Sequence, residues 1–136
     1  MVPMVPMVPK VILDALPREV AATFAGLWPR VQPQPDGLRR AISQHCAEVE
    51  RAAGKNEFLD TSLSRSLATV FETVLADWAE LDTVQQAAVA AAVAYFALNE
   101  DAEDDLDSVL GFEDDALVFN ACARFIGRAD LSIDIE

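Results

Sequence analysis

Apolar residues recur three and four positions apart along most of this chain, the spacing that places them on one face of an α-helix. The pattern predicts about five helices joined by short polar or Pro-rich connections. They run from Pro17 to Trp28, from Asp36 to Ala52, from Asp60 to Leu81, from Asp82 to Leu98 and from Phe112 to Ile126. We therefore expect an all-α fold, a compact bundle of about five helices.

The fourth helix has the most distinctive pattern. Asp82 is followed three residues later by Gln85, the spacing of a capping box at a helix N-terminus. The residues after this box are apolar on every side of the helix, which predicts a position in the middle of the bundle. Because many of them are Ala, we expect the third and fifth helices to pack closely on either side.

The two ends of the chain depart from the helical pattern. Residues 1–16 begin with MVPMVPMVP, and Pro at every third position forbids a helix, so we predict a disordered leader. Residues 128–136 form an acidic tail; its LSIDIE alternates like a strand but finds no partner strand, which favours a frayed tail or a segment that adds to a partner. This leaves one helical domain over residues 17–127, whose first two helices could supply the apolar faces of a homodimer.

Charge is distributed unevenly along the chain. The net charge is −13, and from Ser66 to Ala123 there are thirteen acids and no Lys or Arg. The other residues carry ten acids and ten bases, so that half of the chain is neutral. A strongly acidic half argues against nucleic acid or anionic lipid as a partner and favours a cation or a basic protein surface.

Cysteine usage and hydropathy indicate a cytoplasmic protein. Cys46 and Cys122 both fall within apolar helical patterns, and two cysteines are too few for a disulfide-stapled secreted scaffold. The N-terminus lacks a signal-peptide pattern. The longest strongly apolar run, Ala87 to Leu98, is twelve residues, too short for a membrane span.

The connection between the fourth and fifth helices is the chemically unusual part of the chain. Residues 99–115 hold nine acids and no base, and neighbouring carboxylates about 6 Å apart repel by roughly 0.7 kcal/mol per pair even in water. Full solvation, a bound cation or a basic partner could relieve this repulsion. If the two helices are antiparallel, Asp101 and Asp105 meet Asp114 and Asp115 at one end of the bundle, a set of oxygen ligands suited to Ca²⁺ or Mg²⁺.

The same region resembles a known family. The run from Tyr95 to Val118 is similar to the signature of the YkvA-like family of unknown function. The matching residues are Tyr95, Asp101, Asp105, Val109, Leu110, Gly111, Phe112, Asp114, Asp115 and Ala116. The resemblance covers residues 62–127, and Glu103 and Asp104 stand where the family has Ile-Pro. It implies a small helical domain without an assigned reaction, and it groups the four aspartates as a set.

Three functions fit these observations. The first is a non-enzymatic interaction module whose acidic end binds a divalent cation or a basic protein. The second is a metal-dependent hydrolase acting through the Asp cluster, and the third is a structural domain with a solvated acidic loop. His45 is the only histidine, and we expect it in the apolar stripe of its helix beside Cys46 and pointing away from it, which disfavours a nucleophile and base pair.

Overall fold

The computed structural model describes residues 7–55, 62–97 and 113–133. Within these ranges the chain forms six α-helices, two 3-10 turns and no strand. The helices are α1 (Lys10–Asp14), α2 (Arg18–Gly26), α3 (Pro35–Lys55), α4 (Ser62–Ala76), α5 (Thr83–Phe96) and α6 (Glu113–Phe125), and the 3-10 turns are Trp78–Glu80 and Ala129–Leu131. All of these helices except the five-residue α1 have nine residues or more, which confirms the all-α bundle of about five helices.

Local sequence signals fix the ends of α5 and α6. The Asp82 side chain accepts a hydrogen bond from the Gln85 backbone N–H at 2.9 Å, and the Gln85 side chain accepts one from the Asp82 N–H at 3.0 Å. The predicted capping box is therefore confirmed. After α6, Gly127 adopts a φ of 79°, a left-handed conformation that terminates helices and that favours glycine.

Helix α5 lies at the centre, as its apolar composition predicts. Its residues from Ala87 to Val93 are all buried, and Phe96 is 1% exposed. The backbones of α2, α3 and α6 pack against it. We expected the predicted helices on either side of this one in sequence, which correspond to α4 and α6, to flank it. This is confirmed for α6, but α3 takes the place expected of α4. Helix α4 packs on α3 and α6 and reaches α5 through the Phe71 ring, 5.5 Å from that of Phe96.

The prediction of a disordered leader over residues 1–16 is wrong for its second half, and residues 1–6 lie outside the described residues. Helix α1 begins after Pro9 and packs against α2 and α6. Ile12 is 1% exposed and Leu16 is 8% exposed. The Pro repeat ends at residue 9, so it does not prevent a helix after that point. Burial of the apolar side chains that follow stabilises this helix against the rest of the bundle.

Two further expectations need correction. The third predicted helix runs to Leu81, but α4 ends at Ala76 and the chain continues through Asp77 into a 3-10 turn. The tail is ordered through residue 133, because the Asn120 side chain both donates to the Ile133 carbonyl (2.8 Å) and accepts from its N–H (2.7 Å). Residues 134–136 lie outside the described residues.

Contacts between helices define two ends of the bundle. The Cys122 thiol lies 3.5 Å from the Ala88 carbonyl oxygen, so the C-terminal part of α6 faces the N-terminal part of α5 and the two helices are antiparallel. We call the end where α5 stops at Phe96 and α6 starts at Glu113 the acidic pole. The opposite end, formed by the turn Trp78–Glu80 and by Gly127, is the turn pole.

Candidate functional site

The structure supports the topological premise of the predicted acidic site. Since α5 and α6 are antiparallel, the end of α5 at Phe96 and the start of α6 at Glu113 lie at the same end of the bundle. Asp101 and Asp105 lie outside the described residues. Asp114 and Asp115 are described, in the first turn of α6, where the helix dipole stabilises negative charge by about 0.3–1 kcal/mol per group.

Asp114 and Asp115 differ in their access to solvent. Asp114 is exposed, whereas Asp115 is 8% exposed. Consecutive residues of an α-helix point about 100° apart, because the helix has about 3.6 residues per turn. Of these two carboxylates, Asp114 is therefore the one available to a partner arriving from solvent. Asp115 lies against the bundle.

Basic residues that are distant in sequence reach the same pole. Helix α3 runs in the same direction as α5, since Gln32 before α3 bonds Gln86 near the start of α5 and the His45 ring lies 4.7 Å from that of Phe96. The end of α3 therefore reaches the acidic pole together with the start of α4. There Arg65 pairs with Glu50 at 2.8 Å.

This pair was not predictable from spacing, because its partners are 15 residues apart and on different helices. The hydrogen bonds from Arg65 lower the pKa of Glu50 below its ordinary value. Arg51 is exposed on the next position of α3. Positive charge is thus present at this pole, although the sequence between Ser66 and Ala123 contains none.

No group of three or more His, Cys, Asp or Glu side chains that could hold a metal ion occurs within residues 7–55, 62–97 and 113–133. The four predicted ligands, Asp101, Asp105, Asp114 and Asp115, are divided between described and undescribed parts of the chain. A site built on all four stays a prediction.

The histidine and the two cysteines are core residues. His45 is 6% exposed and its ring contacts Phe96 edge to face. Both cysteines are free thiols, Cys46 half-buried and Cys122 buried. Burial raises the pKa of the Cys46 thiol, helped by the nearby Glu50 and Glu72 carboxylates, and it raises the pKa of Cys122 further. Both thiols are therefore poor nucleophiles at neutral pH.

A cavity at the turn pole was not expected from the sequence. It has a volume of about 380 Å³ and lies between the end of α4, the turn Trp78–Glu80, the start of α5 and the end of α6. Its apolar wall is made of Val74, Leu81 and Ile126, and its polar wall includes Asp77, Glu80 and Arg128. No sequence motif predicts it, because its lining comes from two segments that are distant in sequence, residues 74–85 and 126–128.

Arg128 organises the polar side of this cavity. Its guanidinium bonds Asp77 at 2.9 Å and Asp130 at 3.2 Å. The hydrogen bond between Arg128 and Asp130 lowers the pKa of Asp130. Both bonds raise the pKa of Arg128, with Asp130 the larger influence. The bridge to Asp77 spans 51 residues and joins the end of α6 to the turn that follows α4.

No family model, curated protein or solved structure matches this chain. The similarity to the YkvA-like family therefore stays a hypothesis based on the residues between Tyr95 and Val118. Among the described helices, none combines the length and the apolar character that crossing a bilayer requires.

Proposed function

We propose that this protein is a non-enzymatic helical interaction module whose acidic pole binds a positively charged partner, either a divalent cation or a basic protein surface. The observation that carries the proposal is the antiparallel pairing of α5 and α6. It places the end of α5 and the start of α6, which flank the carboxylate-rich residues in sequence, at a single end of the bundle.

Electrostatic repulsion supports this reading. Nine acids fall between residues 99 and 115, and both ends of this stretch are attached to ordered helices that are in contact with one another. Each pair of carboxylates about 6 Å apart costs roughly 0.7 kcal/mol in water and several times more where water is partly excluded. A bound cation or a basic surface would turn this cost into attraction.

The start of α6 adds a fixed contribution. Asp114 is exposed at the first turn of the helix, next in sequence to the acidic connection, and its carboxylate is available to an incoming charge. Asp101 and Asp105 are further proposed ligands, and Asp115, which is 8% exposed, is the fourth carboxylate of the set. Ca²⁺ accepts six to eight oxygen ligands and Mg²⁺ accepts six, which this number of carboxylates can supply together with water.

Thermal unfolding with and without divalent ions tests the cation. We expect millimolar CaCl₂ or MgCl₂ to raise the melting temperature above that in NaCl of equal ionic strength, and EDTA to reverse the rise. A ligand present at about 100 times its Kd stabilises by about 2.7 kcal/mol. The response should shrink in Asp114→Asn and persist in Asp14→Asn, which removes an equivalent exposed charge from α1.

A basic partner gives a different result. Association with a lysine-rich peptide should weaken steeply with NaCl and persist in EDTA, and it should be weaker for Asp114→Asn than for Asp14→Asn. Equal melting temperatures in divalent and monovalent salt, together with no peptide association at low salt, would contradict the proposal.

A further inference from the structure

We infer that the cavity at the turn pole is a second binding site, for a ligand that carries an ammonium group on a short aliphatic chain. Such a group occurs in a free alkylamine and in the side chain of a lysine. This site is independent of the acidic pole, because it lies at the other end of α5 and α6 and shares no residue with the proposed acidic site.

The size of the cavity fits a small ligand or one side chain. Its volume of about 380 Å³ is near the lower end of the range of roughly 300–1,000 Å³ that is usual for ligand pockets. One wall is apolar: Val74 and Ile126 are 2% and 9% exposed, and Leu81 is partly buried. An aliphatic chain placed against this wall would lose contact with water, at a gain of about 25 cal/mol per Å² of apolar surface.

The charged residues of the lining carry an excess of negative charge. Two carboxylates, Asp77 and Glu80, and one guanidinium, Arg128, line the cavity. A third carboxylate, Asp130, pairs with the same guanidinium from the outside. Three negative charges against one positive charge leave a net attraction for a cation.

The two carboxylates paired with Arg128 leave it little attraction for an anion. Its Nη1 atom donates to Asp77, and its Nε and Nη2 atoms donate to the two carboxylate oxygens of Asp130. These bonds use three of the five N–H donors of the guanidinium, and two aspartates face its single positive charge. An incoming carboxylate or phosphate would therefore meet a net negative charge here. The charge of the bound ligand is therefore positive.

Glu80 is the carboxylate that remains for the ligand. Asp77 is held by Arg128, whereas Glu80 forms no ion pair with any residue of the described ranges. Its backbone is fixed, because its N–H donates to the Asp77 carbonyl at 2.9 Å in the 3-10 turn. The Gln85 side chain, which also lines the cavity, is occupied by the capping box. Glu80 is thus an exposed carboxylate in a lining that also contains apolar residues.

Titrations followed by ¹H–¹⁵N NMR test this site. The probes are 1-aminopentane and a capped Gly-Gly-Lys-Gly-Gly peptide, with 1-pentanol and the norleucine peptide as uncharged counterparts. We expect saturable shifts of the amide signals around Leu81, Gln85 and Arg128 with at least one charged probe and much weaker ones with its uncharged counterpart. Saturation by the amine alone identifies a free amine as the ligand, and saturation by the peptide identifies a lysine side chain.

Glu80→Gln should weaken binding about three- to fivefold, the effect of one partly exposed ion pair. Glu48→Gln, on α3 and outside the cavity lining, is the matched control and should bind as the unaltered protein does. Both changes keep the shape of the side chain, and circular dichroism verifies the fold. The inference is overturned if neither charged probe saturates, if the uncharged probes bind equally well, or if Glu80→Gln binds with unchanged affinity.

Discussion

Adjacent residues on α1 differ almost completely in their surroundings. Ile12 is 1% exposed and belongs to the core, while Val11 is 64% exposed. Both are β-branched apolar residues, so their intrinsic helix propensities are similar. A difference in unfolding free energy between their Ala variants therefore reports mainly on burial. It tests whether α1 is part of the folded domain.

Ile12→Ala should lower the free energy of unfolding by about 2–5 kcal/mol, because it leaves a cavity between α1 and the rest of the core. Val11→Ala should change it by less than about 0.5 kcal/mol, as is usual for surface substitutions. Urea denaturation of the two variants and of the unaltered protein provides the comparison. Equal small effects would mean that α1 does not pack as described.

Some helix ends could be predicted from the sequence and others could not. The capping box at Asp82 and the terminating Gly127 were predictable, since both signals act within a few positions of the chain. The break after Ala76 was not, because Trp78 and Leu81 continue the apolar spacing and still pack against the core through the 3-10 turn. Periodicity reports which side chains are buried and not which backbone hydrogen bonds are formed.

At the level of elements, α5 depends on its first turn. Its interior is almost entirely Ala and Val, and it contributes no charged side chain that could interact with its own dipole. The reciprocal hydrogen bonds of Asp82 and Gln85 satisfy two N–H groups that would otherwise have no partner in the helix. The same turn forms part of the wall of the turn-pole cavity.

Asp82→Ala should cost about 1 kcal/mol of stability, the usual effect of losing an N-cap side chain. Asp82→Ser keeps an accepting oxygen and should recover most of this loss. Thermal or urea unfolding measures the series, and Asp14→Ala controls for the removal of one negative charge. If Asp82→Ala and Asp14→Ala were equally stable, the cap would contribute nothing beyond its charge.

The order of helices around α5 could not be derived from the sequence. Helices α3 and α4 have amphipathic stripes of comparable strength, so either could have been placed next to α5. Contacts over long sequence separations decide between them. Among these are the contact of the His45 ring with Phe96, which joins α3 to α5, and the hydrogen bond from Arg39 to the Leu75 carbonyl, which joins α3 to α4. The cavity at the turn pole depends on the same arrangement and was missed for the same reason.

Across the whole molecule, the excess of acids in the sequence is only partly compensated by ion pairs formed in the fold. The net charge is −13, yet ion pairs such as Arg39–Glu72, Arg65–Glu50 and Arg128–Asp77 join segments that are distant in sequence. These pairs are largely exposed, and exposed pairs contribute little, typically about 0–1 kcal/mol each. The uncompensated acids therefore dominate the electrostatic contribution to stability, and repulsion among them opposes folding.

Raising NaCl from about 10 mM to about 200 mM shortens the Debye length from about 30 Å to less than 10 Å and should raise the melting temperature by a few degrees. Most of the rise should occur below about 100 mM, where screening changes most. Replacing NaCl by KCl serves as a control, since screening depends on ionic strength and not on which monovalent cation is present. A melting temperature that falls with salt would indicate that the ion pairs outweigh the repulsion.

Every residue of α5 from Ala87 to Val93 is buried, which limits the substitutions that evolution can accept in this stretch. A larger residue in place of one of these alanines would push neighbouring helices apart, and glycine would loosen the helix itself. Neutral drift should therefore be slow in this stretch and faster on the outer faces of α2 and α3.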